Sequence, residues 1–410
     1  MAAPPDPSTA STAPAAPPQP LAGVRVIEFT HMVMGPTCGM LLADLGAEVI
    51  KVEPLEGEAT RRLLGSGSGF FPMFNRNKKS IGIDLRHPQG VQTARALCLS
   101  ADVVVENFKP GAMARVGLDY ASLAPDHERL IYVACKGFLP GPYDHRTALD
   151  EVVQMMGGLA YMTGRPGDPL RAGSSVNDIM GGMFGTIGVL GALIQRGITG
   201  KGMEVQSALY ENNVFLMGQH MLQYAMTGQH PKPMPARDSP WAVYDVFTVA
   251  DGEQIFLAAV SDGQWTSFCE VLGMHDLLER PEFATNNDRV RQRPQLMQTL
   301  RERLAGRRAD ELAGLMEAAG LPFAPIRRPE DLLDDEHLLA TGGLAEVRVA
   351  DGEKAGQMVK TTLAPIALEG QRLPVRIQPP RIAEHTEEIL RGLGLTDADI
   401  ERLRAARAVT

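Results

Sequence analysis

The first half of the chain alternates short apolar runs with stretches of helical periodicity. The apolar runs are rich in β-branched residues, and the stretches between them carry apolar positions at three- and four-residue spacing. Strands that alternate with helices pair in parallel through right-handed crossovers. The pattern therefore predicts an α/β fold with a doubly wound parallel sheet. The predicted strands are 24–29, 48–53, 80–85, 102–106 and 130–135, and the predicted helices include 37–45 and one that begins after Pro88.

The pattern changes beyond a segment that is rich in Pro and Met. Two β-rich runs at 241–249 and 254–260 flank Asp251-Gly252, a dipeptide typical of tight hairpin turns. Helical patterns then dominate from 263 to about 339, which predicts a small α+β domain. The predicted organisation is a disordered Ala- and Pro-rich tail at 1–20, a large Rossmann-like domain at 21–228, a linker at 229–240, the small domain at 241–340 and a return segment at 341–410 that packs on the large domain.

Composition and charge fit a globular enzyme and disfavour several other classes of protein. Of the 410 residues, 44% are hydrophobic and 22% are charged, which is enough apolar material for sizeable cores. The net charge of −9 disfavours nucleic-acid binding, because that function needs a basic surface. The four cysteines lie far apart with no CxxC pair. This spacing predicts buried, reduced thiols, and it predicts neither a metal site nor a disulfide framework.

Neither a signal peptide nor a membrane span is expected. Residues 1–20 lack the basic and apolar regions of a signal peptide. The charge-free run 179–194 has sixteen residues, fewer than the ~20 that cross a bilayer. We therefore expect a cytoplasmic protein in which this run forms a buried helix. Three glycines at helical spacing would let a second helix approach it closely: Gly181, Gly185 and Gly188.

The first predicted strand lacks the glycine pattern of a dinucleotide-binding site. A Rossmann dehydrogenase carries GxGxxG directly after this strand, so that a pyrophosphate can approach the backbone at a helix N-terminus. Here only Gly35 follows, and the GSGSG run at 65–69 follows no strand and is interpreted as a mobile loop. NAD binding is therefore disfavoured, although Glu53 ends the second strand where a ribose-binding acid would lie. His31 fits either a general base or a structural histidine and is left unassigned.

Six ordered segments after residue 20 carry a family resemblance. They are HMVMGPTCGMLLADLGAEVIKVE, FNRNKKSIGIDLRHPQG, DVVVENFKPGAMARVGLDY, GSSVNDIMGG, YDVFTVADG and EHTEEILRGLGL. Together they resemble the family III CoA-transferases, the group that includes formyl-CoA transferase and carnitine CoA-transferase. The resemblance implies an intertwined homodimer, each subunit a ring threaded through the other, which acts on acyl-CoA and small carboxylic acids. It implies CoA as a substrate held mainly by the large domain, with no tightly bound cofactor.

Carried over by position, the resemblance assigns CoA contacts and a nucleophile. Arg86 and Arg115 can form bidentate hydrogen bonds with phosphate oxygens. Phe108 offers a face for the adenine, and Asn107 can hydrogen-bond the edge of that base. The nucleophile of the family falls on Asp178. The implied CoA-binding residues are Val33, Met34, Ile83, Arg86, Asn107, Phe108, Arg115 and Asp150.

Asp178 precedes an apolar helix, and its position has two interpretations. An aspartate there is often the N-cap of the helix. As the nucleophile that the resemblance implies, it would attack a thioester to give a mixed anhydride and then an aspartyl-CoA thioester. We expect the helix dipole and nearby N–H groups to keep its carboxylate ionised. Backbone groups near Gly181 and Gly182 are the expected oxyanion donors.

The sequence departs from the oxalate enzyme of this family. A basic residue after the second strand is Pro54 here, and a later lysine aligns with Thr147. Arg146 or Lys136 is the candidate substitute for that lysine. The glycine run that closes over the intermediates in the oxalate enzyme has no equivalent at 238–241, which disfavours oxalate. We expect succinyl-CoA or a similar donor and a small dicarboxylic acceptor. The candidate residues for its distal carboxylate are Arg61, Arg62, Arg171 and Arg237.

Two other functions fit parts of the pattern. An α-methylacyl-CoA racemase shares the fold but needs a histidine in a Gly-His-Asp triplet, which is Ala148-Leu149-Asp150 here, with His145 three residues earlier. Deuterium exchange at the α-carbon of an acyl-CoA would indicate the racemase. A non-catalytic CoA-binding module would need no carboxylate at Asp178, and an acyl exchange assay separates it from an enzyme.

Overall fold

The computed structural model describes residues 17–237 and 239–410, apart from the side chain of Asp251. Most of the predicted tail at 1–20 lies outside the described residues. So does position 238 of the segment 238–241, which lacks the glycine run of the oxalate enzyme. The chain divides into two compact units, one formed by 17–235 together with 336–410 and the other by 236–335. The second unit thus begins within the predicted linker and ends shortly before the predicted boundary at 340.

A six-stranded parallel sheet forms the centre of the first unit. The strands are β1 Arg25–Phe29, β2 Glu48–Glu53, β3 Lys78–Gly82, β4 Val103–Glu106, β5 Ile131–Lys136 and β6 Glu204–Ala208. Their order in the sheet is β3-β2-β1-β4-β5-β6, which is that of a doubly wound sheet, so the predicted fold class is confirmed at this level. β3 begins two residues earlier and ends three residues earlier than predicted, and β6 was not predicted.

Helices cover both faces of this sheet. Short 3₁₀ turns at Ala59–Arg62 and Gly65–Gly67 link β2 to the second helix, so the GSGSG run that was expected to be a loop is partly helical. The α-helices of the first unit before residue 235 are α1 Met34–Asp44, α2 Phe70–Phe74, α3 Pro88–Leu99, α4 Ala112–Arg115, α5 Tyr120–Leu123, α6 Asp150–Met156, α7 Leu159–Thr163, α8 Val176–Thr199 and α9 Leu209–Thr227.

The central strands bury both of their faces, as their continuous apolar sequences require. Val26 and Val133 point to the face covered by α1 and α8. Ile27 and Tyr132 point to the other face, where α3 and the C-terminal helices pack. All four cysteines are buried and free, as the sequence predicted.

The return segment completes the first unit. Leu390 and Ile400 from its helices join the core on the α3 side. Its last residues extend the sheet region, with Val409 bridging Ile83 and the Thr410 N–H donating to the Gly82 carbonyl oxygen (3.2 Å). Its elements are α15 Glu336–Ala340, β10 Leu344–Arg348, β11 Met358–Thr362, β12 Ala367–Leu368, β13 Gln371–Arg372, α16 Thr386–Gly392 and α17 Asp397–Ala405.

The second unit has its own core around a three-stranded antiparallel sheet. β7 and β8 pair as the predicted hairpin, although a 3₁₀ turn at Ala250–Gly252 makes the connection longer than a two-residue turn. Phe247 and Leu257 of this sheet pack against Phe268 and Leu300 of the helices. The elements are β7 Val243–Thr248, β8 Gln254–Ala259, α10 Asp262–Leu272, α11 His275–Leu278, α12 Asn286–Arg291, α13 Arg293–Leu304, α14 Ala309–Ala318 and β9 Phe323–Pro325.

Helix α8 is longer and more exposed than the sequence predicted. It has 24 residues, because polar residues at both ends of the charge-free run are also helical. By length and composition it could cross a membrane, a test that core helices of soluble proteins also pass. One face packs closely on α1, where a Cβ added to Gly182 would lie 2.5 Å from the Thr37 Cβ. On the other face Ile194 is 69% and Ile198 is 77% exposed, so the expected burial holds for one face only.

Candidate active site

The turn that follows β1 is held by side chains from three other segments. Met32 adopts a left-handed conformation with φ of 63°, which is strained for a residue with a side chain. Its N–H donates to Thr60 Oγ1 (3.0 Å), and the N–H of His31 donates to Asn107 Oδ1 (3.0 Å). Lys51 Nζ donates to the Thr30 carbonyl oxygen (2.8 Å). These bonds fix the backbone at the carboxyl end of the central strand, where ligands of such sheets bind.

A buried cluster of charges lies beneath this turn. Lys51 Nζ is 3.5 Å from a Glu28 oxygen and 3.3 Å from a Glu58 oxygen. Lys78 Nζ donates to both oxygens of Glu28, at 2.8 and 3.0 Å. Burial lowers the pKa of Lys78 to about 8 despite the neighbouring Glu28 carboxylate. The lysines therefore compensate carboxylates that would otherwise be buried without partners.

Asp178 lies in the first turn of α8, but it is not the N-cap. The helix begins at Val176 after Ser175, so Asp178 is its third residue. The N–H groups of Asn177 (2.7 Å) and of Asp178 itself (3.1 Å) donate to Oδ1 of Asp150, the first residue of α6. The N-cap interpretation of Asp178 is therefore wrong, because a carboxylate from another helix performs the capping.

The Asp178 carboxylate is partly exposed and accepts no hydrogen bond from the described residues. Burial, followed by the charge of Asp150, raises its pKa to about 7, and Arg171 opposes this shift. The expectation that the helix terminus keeps Asp178 ionised is thus wrong. The physical reason is that the first-turn N–H groups bond the Asp150 carboxylate instead of the Asp178 carboxylate.

The first turns of α1 and α8 lie side by side. Ile179 packs against a small apolar cluster that includes Val33 and Phe74. A Cβ added to Gly181 would lie 2.4 Å from Met34 Cε, so the predicted close approach of a second helix is confirmed. Gly181 and Gly182 lie inside α8, where backbone N–H groups are bonded within the helix. They are therefore not free to act as the oxyanion donors that we expected.

Several of the predicted CoA contacts line two neighbouring cavities. Phe108 and Pro54 line both of them. Ile83 and Arg86 line the first, of about 330 Å³, and Arg115 lines the second, of about 400 Å³. Among the described residues, the highly exposed Arg86 forms an ion pair with nearby Asp84 (2.9 Å), and the exposed Arg115 forms none.

Other predicted CoA contacts are turned toward the protein. The Val33 and Met34 side chains are buried, which leaves only their backbone for a ligand. Asn107 uses its amide on the backbone of His31, because its Nδ2 also donates to the His31 carbonyl oxygen (2.8 Å). Asp150 is buried, and Gln154 Nε2 donates to its second oxygen (2.5 Å). Its carboxylate is thus directed at protein groups rather than at the cavities.

The two candidates for the lysine that is Thr147 here, Lys136 and Arg146, both contact other residues of the protein. Lys136 pairs with Glu106 and donates to the Phe108 carbonyl oxygen (2.8 Å), so it supports the loop that carries Phe108. Arg146 stacks on Tyr143 at 4.1 Å.

The arginines expected to bind a distal carboxylate are also largely engaged within the protein. Arg61 is buried and forks onto Glu53 at 2.6 and 2.7 Å, which contradicts its assignment as a free substrate ligand. The same contact shows that Glu53 is not a free ribose-binding acid. Arg62 donates to the Glu56 carbonyl oxygen (2.9 Å) and is exposed, and Arg171 donates to carbonyl groups of the loop before α8.

The racemase arrangement is not reproduced. Leu149 is the residue before α6, at the place of the required histidine, and it is 62% exposed. The side chain of His145 is 73% exposed and lies beside Asp144. It lines a separate cavity of about 600 Å³ together with Glu106 and Lys136. No histidine contributes to the pKa shift of Asp178.

Sequence comparison places this arrangement in a known family. The profile of CoA-transferase family III matches residues 21–386. The chain belongs to this family. It is an enzyme of the CoA-transferase class, EC 2.8.3, as the six segments indicated. The resemblance to the family III CoA-transferases is therefore confirmed over residues 21–386.

The relatives include dicarboxylate enzymes and a solved structure. The chain is 32% identical to the succinate–glutarate CoA-transferase of Agrobacterium fabrum, covering 90% of this chain and 95% of that enzyme. It is 34% identical to the succinyl-CoA–D-citramalate CoA-transferase of Chloroflexus aurantiacus, covering 96% of this chain and 99% of that enzyme. The crystal structure of a CaiB/BaiF family protein from Brucella suis superposes with a TM-score of 0.82 at 34% identity, covering 92% of this chain and all of that one.

Proposed function

We propose that this enzyme moves CoA from succinyl-CoA or a similar acyl-CoA to a small dicarboxylic acid, with Asp178 as the nucleophile. The observation that carries the proposal is the state of this carboxylate. It lies in the first turn of α8 at the carboxyl edge of the sheet, it accepts no hydrogen bond from the described residues, and its pKa is raised. An uncommitted, more basic carboxylate is a better nucleophile than one bound to several donors.

In the proposed mechanism, an oxygen of Asp178 attacks the thioester carbonyl of the donor. The C–S bond breaks, CoA leaves as the thiolate, and a mixed anhydride joins Asp178 to the donor acyl group. The thiolate then attacks the aspartyl carbonyl and expels the donor acid as its carboxylate, which leaves an aspartyl-CoA thioester. The acceptor carboxylate displaces the thiolate from this thioester, and the thiolate attacks the acceptor acyl group to release acceptor-CoA and free Asp178.

The two cavities beside Phe108 support the proposed site for the nucleotide end of CoA. Their shared walls, Pro54 and Phe108, offer apolar surface for a base, and Arg115 supplies an unpaired cation for a phosphate. An acidic protein needs such local positive charge, because its overall field repels the anionic substrate. Arg86 extends from the first cavity and would pair with a second phosphate in place of Asp84.

The proposed assembly is an intertwined homodimer. Two apolar stripes, rows of exposed apolar side chains along α8 and along α9, support it. The rings of Phe184 on α8 and Phe215 on α9 are in contact, with their centroids 5.5 Å apart. Exposed apolar surface of this extent is typical of a protein–protein contact. Light scattering at micromolar concentration is expected to report a dimer, and a well-folded monomer would contradict the proposal. The stripes consist of Met183, Ile187, Ile194 and Ile198 on α8 and of Phe215, Leu222 and Met226 on α9.

Substrate identity is tested directly by a panel of donors and acceptors. Succinyl-CoA, glutaryl-CoA and acetyl-CoA are incubated with isotopically labelled mono- and dicarboxylic acids, and new thioesters are identified by mass spectrometry. We expect transfer to dicarboxylic acids with the wild-type chain and none with Asp178→Asn, used as freshly purified protein checked for deamidation. Turnover of monocarboxylates alone would reject the dicarboxylate assignment. A fully active Asp178→Asn enzyme would reject the mechanism.

A further inference from the structure

The first turn of helix α8 is capped by a side chain that is distant in the sequence. Helices usually satisfy their first N–H groups with the side chain of the N-cap residue. Ser175 makes no such bond, and Asp150 Oδ1 accepts the N–H groups of Asn177 and Asp178. Asp150 lies 28 residues before Asp178 and belongs to α6. One carboxylate oxygen therefore fixes the turn on which the proposed nucleophile is mounted.

Gln154 extends this link to the loop that enters α8. It lies one turn after Asp150 on α6 and is fully buried. Its Nε2 donates to Asp150 Oδ2 (2.5 Å), and its Oε1 accepts the N–H of Ala172 (2.8 Å). Arg171, 3.7 Å from Asp150 Oδ2, donates to the Ser174 carbonyl oxygen (3.2 Å). The loop from 171 to 175 is thus held by α6 at several points.

We propose that Asp150 is a positioning residue for Asp178, which holds the first turn of α8 and withholds its N–H donors from the nucleophile. The inference rests on the proposed function of Asp178. A neutral acceptor would cap the helix equally well, whereas the charge of Asp150 repels the Asp178 carboxylate and disfavours its ionised form. The charge therefore has a consequence for the nucleophile that capping alone does not require.

The charged groups that face Asp178 are few, which makes the contribution of Asp150 separable. Asp150 faces it from α6, and Arg171 faces it from the preceding loop. On the same helix one turn further, at Gly181, the neighbouring side chains of α1 and α9 are Met34 and Asn212, which carry no charge. Removal of the Asp150 charge should consequently act on Asp178 with Arg171 as the remaining charged neighbour.

Three variants separate position from charge. Asp150→Asn keeps one oxygen acceptor for the helix and removes the charge. Asp150→Asn combined with Gln154→Glu restores the hydrogen bond between positions 150 and 154 with donor and acceptor exchanged, keeps an acceptor for the N–H of Ala172, and moves the negative charge from position 150 to position 154. Glu151→Gln is the matched control, since Glu151 is the next residue, is exposed and also lies near Arg171 (3.5 Å).

The decisive measurement is the titration of the Asp178 carboxyl in ¹³C-aspartate-labelled protein, with its signal assigned by its loss in Asp178→Asn. We expect an apparent pKa that is lower by about one unit in Asp150→Asn, lowered less in the double variant because Gln154→Glu returns a negative charge to this cluster, and unchanged in Glu151→Gln. In the CoA-transfer assay the acid limb of the pH profile should move in the same direction. For Asp150→Asn, kcat should fall about tenfold with KM for acyl-CoA nearly unchanged, and the double variant should recover part of kcat.

Other outcomes would overturn the inference. An unchanged Asp178 titration in Asp150→Asn, or an equal shift in Glu151→Gln, would show that Asp150 does not set the state of the nucleophile. A raised KM at constant kcat would make Asp150 a CoA contact instead. Absence of transfer by the wild-type chain would contradict the proposed function alone, because the carboxyl titration tests the coupling of the two aspartates without turnover.

Discussion

Replacement of Asp178 by asparagine is expected to abolish CoA transfer and, at alkaline pH, to stabilise the fold. Burial and the Asp150 charge raise the pKa of Asp178 from its ordinary value of 3.8 to about 7. Between these two values the folded chain binds more protons than the unfolded chain, so stability falls as pH rises. The ionised carboxylate should therefore cost about 2–4 kcal/mol above pH ~7 and almost nothing below pH ~4, the lower figure allowing for partial exposure. Asparagine removes this cost.

Urea unfolding at pH 8 and pH 5.5, at equal protein concentration, tests this reasoning. Asp178→Asn should unfold at higher urea concentration than the wild type at pH 8, and the difference should shrink by roughly half at pH 5.5. Asp144→Asn, at an exposed aspartate, is the control and should show no such dependence. The reasoning would be refuted by an Asp178→Asn chain that is less stable than the wild type at pH 8, or by a difference that does not change with pH.

Three further substitutions, the first with a matched control, test the packing and the CoA site. Gly182→Ala should destabilise the chain by about 1–3 kcal/mol in urea unfolding, because its Cβ would overlap α1, whereas Gly191→Ala has open space and should be neutral or slightly stabilising. Lys51→Met should cost about 3–5 kcal/mol in the same assay, since it removes the cation that pairs with the buried Glu58 while Glu28 keeps Lys78; a neutral result would mean that Glu58 is protonated. Arg115→Ala should weaken CoA binding by ~1.5–3 kcal/mol in calorimetry, and unchanged affinity would remove it from the site.

The sheet could be predicted because its central strands are buried on both faces. Such strands appear in the sequence as continuous β-branched runs, as in Val103–Glu106. β6 was missed because it is an edge strand whose sequence, Glu-Val-Gln-Ser-Ala, is mostly polar and partly exposed. α2 was missed because it has five residues and directly follows a glycine-rich run. Local patterns thus identified the elements whose burial leaves a strong signature and missed the others.

The position of the candidate nucleophile came from the family resemblance, but its surroundings did not. Asp150 and Gln154 stand four residues apart at the start of a helix, a spacing that places them on one face. Nothing local indicates that this face meets the first turn of α8, because the contact joins residues 28 positions apart. The helix-terminus argument for an ionised Asp178 failed for the same reason. It assumed that the N–H groups were available, and only the tertiary structure shows which carboxylate receives them.

The raised pKa of Asp178 also bears on the direction of the proposed reaction. The mixed anhydride has two carbonyl groups, and the thiolate can attack either one. Attack at the substrate carbonyl expels Asp178 and returns to the starting thioester, whereas attack at the aspartyl carbonyl expels the substrate acid. The less basic carboxylate is the better leaving group, and a free carboxylic acid with a pKa of about 4 is less basic than Asp178 at about 7. In the donor half of the proposed mechanism, the environment that raises the pKa of Asp178 therefore favours breakdown of the anhydride toward the aspartyl-CoA thioester, the proposed intermediate from which an acceptor acid would take CoA.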